Sequence, residues 1–211
     1  MLFGDESYKS LADLAKAAVR DPSNFNWTFI ALFAFVVMLY VDEIYKKNYK
    51  AIAAALMLYS VHWLYEIANA VICHFSGYAL WTVSPESTTF ILLIGVSWEL
   101  SMMFAVAGFT SKLLPKDKDM KILGINNRIV FAIGSALFFS LVEIFLAWTP
   151  AFIWVYPWWG AIPVFITVYI PFFLASYLIY DKKPTTQKKW IGSLACVNIV
   201  LLAVLIPLGI I

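Results

Sequence analysis

The chain has 211 residues, 63% of them apolar and 18% aromatic but only 13% charged, with a mean hydropathy of +0.82. A soluble domain is nearer half apolar and about a quarter charged, so these proportions exclude a water-soluble globular protein and point to a polytopic helical membrane protein forming one compact bundle. The formal net charge of +2 gives no reason to expect a nucleic-acid partner.

The opening residues Met1-Leu-Phe-Gly-Asp-Glu6 have no basic segment leading into an apolar core, so no cleaved secretion signal is expected. Residues 1–25 read as an interfacial segment. Ser10-Leu-Ala-Asp13 has the pattern of a capping box that opens a short helix. Leu11, Leu14, Ala15, Ala18 and Val19 share one face of that helix, opposite Lys9, Asp13, Lys16 and Arg20. Such an amphipathic stripe suits the outer interface or a partner subunit. Asp21-Pro22-Ser23-Asn24 ends it.

Residues 26–211 hold six apolar runs: Asn26–Tyr45, Ala51–His74, Thr88–Leu113, Ile125–Thr149, Trp158–Tyr180 and Trp190–Ile210. Each has about 20 residues or more, as ~30 Å of hydrocarbon at about 1.5 Å per residue requires. The expected fold is all-α, a six-transmembrane-helix bundle with a short N-terminal amphipathic helix.

Basic residues alternate between connections. Lys46, Lys47 and Lys50 follow the first run; Lys112, Lys116, Lys118, Lys121 and Arg128 surround the third connection; Lys182, Lys183, Lys188 and Lys189 surround the fifth. Phe75–Ser87 and Pro150–Pro157 contain no Lys or Arg. The positive-inside rule then puts both termini on the outer face of the cell membrane. Trp27, Trp81, Trp148, Trp154, Tyr156, Trp158 and Trp159 crowd that outer side, as an interfacial belt or as a lid over an apolar cavity. The stretch Val155-Tyr-Pro-Trp-Trp-Gly-Ala-Ile-Pro163 reads as a tight re-entry into the fifth run. Cys73 and Cys196 fall in apolar helices at different depths, without CxxC or zinc-type spacing, and read as small buried residues that form no disulfide.

Three carboxylates, Glu66, Glu99 and Glu143, sit deep within separate apolar runs. An ionisable group at bilayer depth costs at least ~2.5–3.5 kcal/mol, which makes each a functional-site hypothesis. Counting along the helices places Glu66 roughly 22 Å and Glu143 roughly 27 Å from the inner side, and Glu99 roughly 17 Å from the outer, so the three can meet.

Tyr59, His62, Glu66 and Asn69 line one face of the second helix, with Trp63 beside them. Gly95, Glu99, Met102 and Val106 make a stripe on the third, next to Ser97 and Trp98; Ala136, Phe139, Ser140 and Glu143 share a face of the fourth; the sixth contributes Asn198. With no Lys or Arg at that depth to pair with, a carboxyl there reads as a neutral acid able to donate a proton, with His62 to orient or reload it. The expected catalytic residues are Glu66, His62, Glu99 and Glu143, and the expected substrate contacts are Tyr59, Trp63, Asn69 and Trp98. Inter-helix polar glue is the competing reading. A Glu/His metal site is a third, but only one helix offers a histidine at this depth and Glu-x-x-His is absent, so no metal or other cofactor is expected.

Two segments carry a family resemblance. Glu66-Ile-Ala-Asn-Ala-Val-Ile-Cys-His-Phe-Ser-Gly77-Tyr-Ala-Leu-Trp-Thr-Val83 resembles a segment of the membrane carotenoid biosynthesis proteins of the carotenoid hydratase type. Trp154 to Ile179, through Tyr156-Pro-Trp-Trp-Gly-Ala-Ile-Pro163, resembles a second. The chain departs from that family in lacking most of the glycines of the first segment, in having Val164-Phe-Ile-Thr167 where an asparagine is usual, and in having no aspartate before the second; only Glu66 carries over, as an acid. His62-Trp-Leu-Tyr-Glu66, with Glu99 on the next helix, looks like the His-x-x-x-Glu of emopamil-binding sterol isomerases, and Tyr40 to Glu66 resembles the start of fungal membrane terpene cyclases.

What these likenesses imply in common is a hydratase, cyclase or isomerase in which a buried acid protonates an alkene of a lipid or isoprenoid substrate while aromatic faces shelter the cation. Three other classes stay open: a non-catalytic accessory or structural subunit with membrane-protein partners, a Glu/His metal-dependent membrane oxidase, and a proton-coupled transporter. The transporter is disfavoured by six spans without repeats or broken helices.

Overall fold

Among the described residues, five helical stretches are long and apolar enough to cross a membrane: α2 (Thr28–Tyr45), α3 (Tyr49–Ser76), α5 (Asn127–Ala147), Ala161–Tyr180, and α8 (Pro184–Leu205). The computed structural model describes residues 2–149 and 151–211; Met1, where the leader reading begins, and Pro150, which opens the second lysine-free connection, lie outside the described residues.

α3 is the central element. Its 28 residues extend about 42 Å, and Ala51, Ala54, Ala55 and Leu58 are wholly buried. The alanines let backbones approach closely: a Cβ added to Gly108 would sit 2.4 Å from Ala55 Cα. The helix stops at Gly77, whose φ of 89° permits a left-handed cap and whose N–H returns to the Cys73 carbonyl at 2.9 Å.

Ala161–Tyr180 comprises α6 (Ala161–Val164), a π turn (Phe165–Tyr169) and α7 (Ile170–Tyr180). Pro171 has no N–H to offer the Thr167 carbonyl, and the Tyr65 hydroxyl donates to it from α3 instead, at 2.9 Å. One extra residue per turn shifts the face that α6 and α7 present, and it delivers Tyr169 to the interior, where it is buried.

The third apolar run departs from the expected single helix. Ile91–Leu93 (β2) and Val96–Ser97 (β3) form a hairpin, α4 covers only Trp98–Ala107, and a 3-10 turn follows over Gly108–Leu113. Gly95 therefore lies in the hairpin turn and not on a helical stripe with Glu99. A Cβ there would fall 2.4 Å from Asn69 Nδ2, 2.5 Å from Trp81 Nε1 and 2.6 Å from Glu66 Oε2, so the close approach needs glycine. Ser97 caps α4 by accepting the Leu100 N–H. α4 and the 3-10 turn together rise about 27 Å.

The two lysine-free connections meet in a two-stranded antiparallel sheet, β1 (Trp81–Val83) against β6 (Phe152–Trp154), with Trp81 opposite Trp154. Both chain ends lie at this side. The Gly4 N–H donates to the Trp159 carbonyl at 2.8 Å and the Ala161 N–H to Leu2 at 2.9 Å. The Arg20 guanidinium donates to the Leu92 and Ile211 carbonyls.

Helix α1 (Lys9–Ala17) buries Ala12 and Ala15 against this end and leaves Leu14 exposed. It starts beyond a 3-10 turn, Glu6–Tyr8, capped by Asp5, so Ser10 is not its cap. Trp81, Trp154 and Trp159 are buried, whereas Trp27, Trp148 and Trp158 are exposed.

The lysine-rich connections lie at the opposite end, tied together by ion pairs. Lys112 pairs with Glu43, which also accepts from Asn48 Nδ2 at 2.7 Å. Arg128 grips Asp181 with two bonds of 2.7 and 2.9 Å. Between them, β4 (Lys121–Ile122) and β5 (Ile125–Asn126) form a hairpin turned by Leu123 and Gly124, both at positive φ. Cys73 and Cys196 are free thiols.

Candidate functional site

α3 places His62 and Glu66 one turn apart on a buried face, 1% and 4% exposed. α5 brings Glu143, also buried, from the other side. Each carboxylate receives an indole from the paired connections. Trp81 on β1 points its Nε1–H between the Glu66 oxygens, at 3.2 and 3.3 Å. Trp154 on β6 donates to Glu143 Oε1 at 2.7 Å. Directly opposed residues of an antiparallel pair project to the same face, so one strand pairing supplies both donors. The π turn adds a third, the Tyr169 hydroxyl, at 2.5 Å from Glu143 Oε2.

The two glutamates differ in what they can still do. Both Glu143 oxygens accept from groups that donate, and the carboxylate is thereby fixed in orientation. Glu66 shares one donor between two oxygens and stands 3.4 Å from His62 Nε2. The ring is not aligned for a hydrogen bond across that separation, and neither His62 nitrogen has a partner among the described residues. The imidazole is held instead by stacking on Phe104, with ring centroids 4.2 Å apart. A slight approach of His62 to Glu66 would close a proton-sharing contact.

His62, Glu66, Glu143 and Tyr169 line one internal cavity, walled by Phe104, Phe139 and Phe172. It offers about 30 Å³ to the centres of water-sized molecules, room for about two waters. Among the described residues, no Lys or Arg lines it.

The other residues expected at the site lie outside this cavity. Glu99, in the first turn of α4, accepts the Thr89 N–H at 2.6 Å and braces the hairpin. Asn69 spends its amide on β1, donating to the Trp81 carbonyl and accepting from the Leu80 N–H. The Tyr59 hydroxyl bonds Ser101 Oγ at 2.9 Å. Trp98 donates to the Phe29 carbonyl and packs edge-on against the Phe29 ring, anchoring α2. Trp63 packs beside Ile67, Leu93 and Val96. Asn198 donates to the Ser60 carbonyl and ties α8 to α3.

The sequence places Trp81 and Trp154 in the outer aromatic group and in the two segments that carry the family resemblance, and it singles out no role for Tyr169. Trp81 and Trp154 also lie in the lysine-free connections, whereas Tyr169, inside the fifth apolar run, carries no such signal. Among the described residues, no three His, Cys, Asp or Glu side chains come together as a metal site would need.

Residues 9–207 match the sequence profile of a family described as an uncharacterized membrane protein family. An "Uncharacterized protein" of Archaeoglobus fulgidus is 42% identical over 174 residues, which cover 81% of this chain and 82% of the relative. No solved structure matches the chain.

Proposed function

Since the chain belongs to this membrane protein family, we propose that it is an integral membrane enzyme that protonates a carbon–carbon double bond of a lipophilic isoprenoid or polyene. The reading rests on one observation: two buried carboxylates and a histidine with no hydrogen-bond partner converge on a single aromatic-walled cavity. In this reading Glu66 gives its carboxyl proton to one alkene carbon, leaving a cation at the other and a carboxylate on Glu66. The fixed Glu143 carboxylate and the Phe104, Phe139 and Phe172 faces stabilise that cation. Water adds and returns a proton in a hydration; a second double bond attacks in a cyclisation, and the ring cation so formed loses a neighbouring proton; loss of a neighbouring proton without attack completes an isomerisation. Each ending leaves Glu66 or His62 reprotonated. The likeness to carotenoid hydratases, sterol isomerases and terpene cyclases agrees with this chemistry at Glu66 and His62 alone.

A bilayer-borne chain has a lateral route to the site. Phe139 lines both the cavity and an apolar groove of about 510 Å³ on α5, shared with Phe131, Gly134 and Phe138. Substrate entry then requires Phe139 to swing aside, because the closed cavity is too small for an isoprene unit. α4 with its 3-10 turn serves as the sixth crossing, the lysine-rich end faces inward, and both termini face outward.

The cavity's small size favours a second reading, a hydrated polar centre that locks the helices of a non-catalytic subunit in a larger complex. Lipid extracts from cells with and without the gene separate the two. A changed isoprenoid profile supports the enzyme. An unchanged profile with stoichiometric copurifying subunits supports the complex.

A further inference from the structure

We propose that the cleft between the first turns of α3 and α8 is a binding site for an anionic membrane phospholipid. The cleft has a volume of about 960 Å³, and Lys47, Lys50, Lys182 and Lys188 stand around it. No Asp or Glu lines it, and among the described residues none of these four lysines is ion-paired. The neighbouring carboxylates are already engaged: Asp42 by Lys46, Glu43 by Lys112, and Asp181 by Arg128.

Four lysines around one cleft with no carboxylate in its lining leave positive charge uncompensated there, and a phosphate among them supplies the counter-charge. The rest of the cleft is apolar, with Ile52, Ala53 and Leu56 on α3 and Ile191 on α8. Cations at the loop end and hydrocarbon along the helices match a phospholipid, with its phosphate among the lysines and its chain along α3 and α8. A soluble phosphate would answer the lysines and leave the apolar wall uncovered. Gly192 keeps that wall open, since nothing lies within 4 Å of a Cβ built on it.

The test uses the full-length protein in neutral detergent, titrated with phosphatidylglycerol, with phosphatidylcholine of the same chains, and with inorganic phosphate, and read by native mass spectrometry. Phosphatidylglycerol is expected to bind about ten-fold or more tighter than phosphatidylcholine, and the double variant Lys50→Gln/Lys188→Gln to lose about that factor. Gly192→Leu changes no charge and raises helix propensity, and it is expected to weaken phosphatidylglycerol by filling the chain's seat. Lys9→Gln, at the opposite end, should change nothing. Equal binding of the two lipids, or undiminished phosphatidylglycerol binding by the lysine and glycine variants, overturns the proposal. Inorganic phosphate that binds as tightly as the lipid and displaces it fully also overturns it, in favour of a soluble anion.

Discussion

Trp154 and Tyr169 donate one bond to each oxygen of Glu143, whereas Glu66 shares a single indole N–H between its two oxygens. Removing the Tyr169 hydroxyl leaves a buried carboxylate oxygen without its donor, so Tyr169→Phe should cost about 1–3 kcal/mol of stability. Glu143→Gln should also lower stability, because it replaces the charge-assisted bond from the Tyr169 hydroxyl with a neutral one. The two changes touch one contact, and a double-mutant cycle by thermal melting should show strong coupling; additive effects would deny that the contact forms. Glu66→Gln keeps an amide oxygen for Trp81 and should fold within about 1 kcal/mol of the wild type while losing turnover. Glu66, His62 and Glu143 were legible in the sequence because ionisable groups in long apolar runs stand out. Their donors were not, because Trp81 and Trp154 become neighbours only through a strand pairing across some 70 residues of chain.

At the scale of elements, the hairpin β2–β3 is the part the sequence concealed. A short apolar run such as Ile91–Ser97 fits a buried strand or a helix equally by periodicity. The signals that decide it are local: Gly95 at the turn, and Ser97 as the cap from which α4 starts. Gly95→Ala should push the hairpin off Asn69, Trp81 and Glu66, costing about 1–3 kcal/mol and lowering the melting temperature in detergent. An unchanged melt would mean the hairpin is not pressed on the carboxylate.

The hairpin β4–β5 offers the opposite case. Leu123 holds φ at 52° and its side chain is exposed, in a backbone region that costs most L-residues about 1–2 kcal/mol and asparagine less. Leu123→Asn is therefore expected to raise stability by a fraction of that, and Leu123→Val to lower it, in the same melting assay.

For the whole molecule, the basic and lysine-free connections are expected at opposite ends, and the Lys112–Glu43 and Arg128–Asp181 pairs share one end while the β1–β6 pairing lies at the other, although the helix count differs. Sidedness depends only on which connections share an end, and α4 with its 3-10 turn still carries the chain from the β1–β6 end to the Lys112–Glu43 pair. Reporter fusions after Ile211 and within Lys116–Lys121 should therefore report opposite sides of the membrane, the former outside. The same side for both would break one of the three crossings between them, α5, Ala161–Tyr180 or α8, and a break at α5 would remove the shared depth of Glu66 and Glu143.

Proton delivery by Glu66 to an isoprenoid double bond is tested most directly in deuterium oxide. Membranes carrying the wild-type chain are incubated with an isoprenoid extract, and the lipids are analysed by mass spectrometry beside membranes carrying Glu66→Gln. The account predicts an isoprenoid product that gains carbon-bound deuterium with the wild type and is absent with the variant. Identical lipid profiles and deuterium content in the two, with both proteins folded, would contradict it.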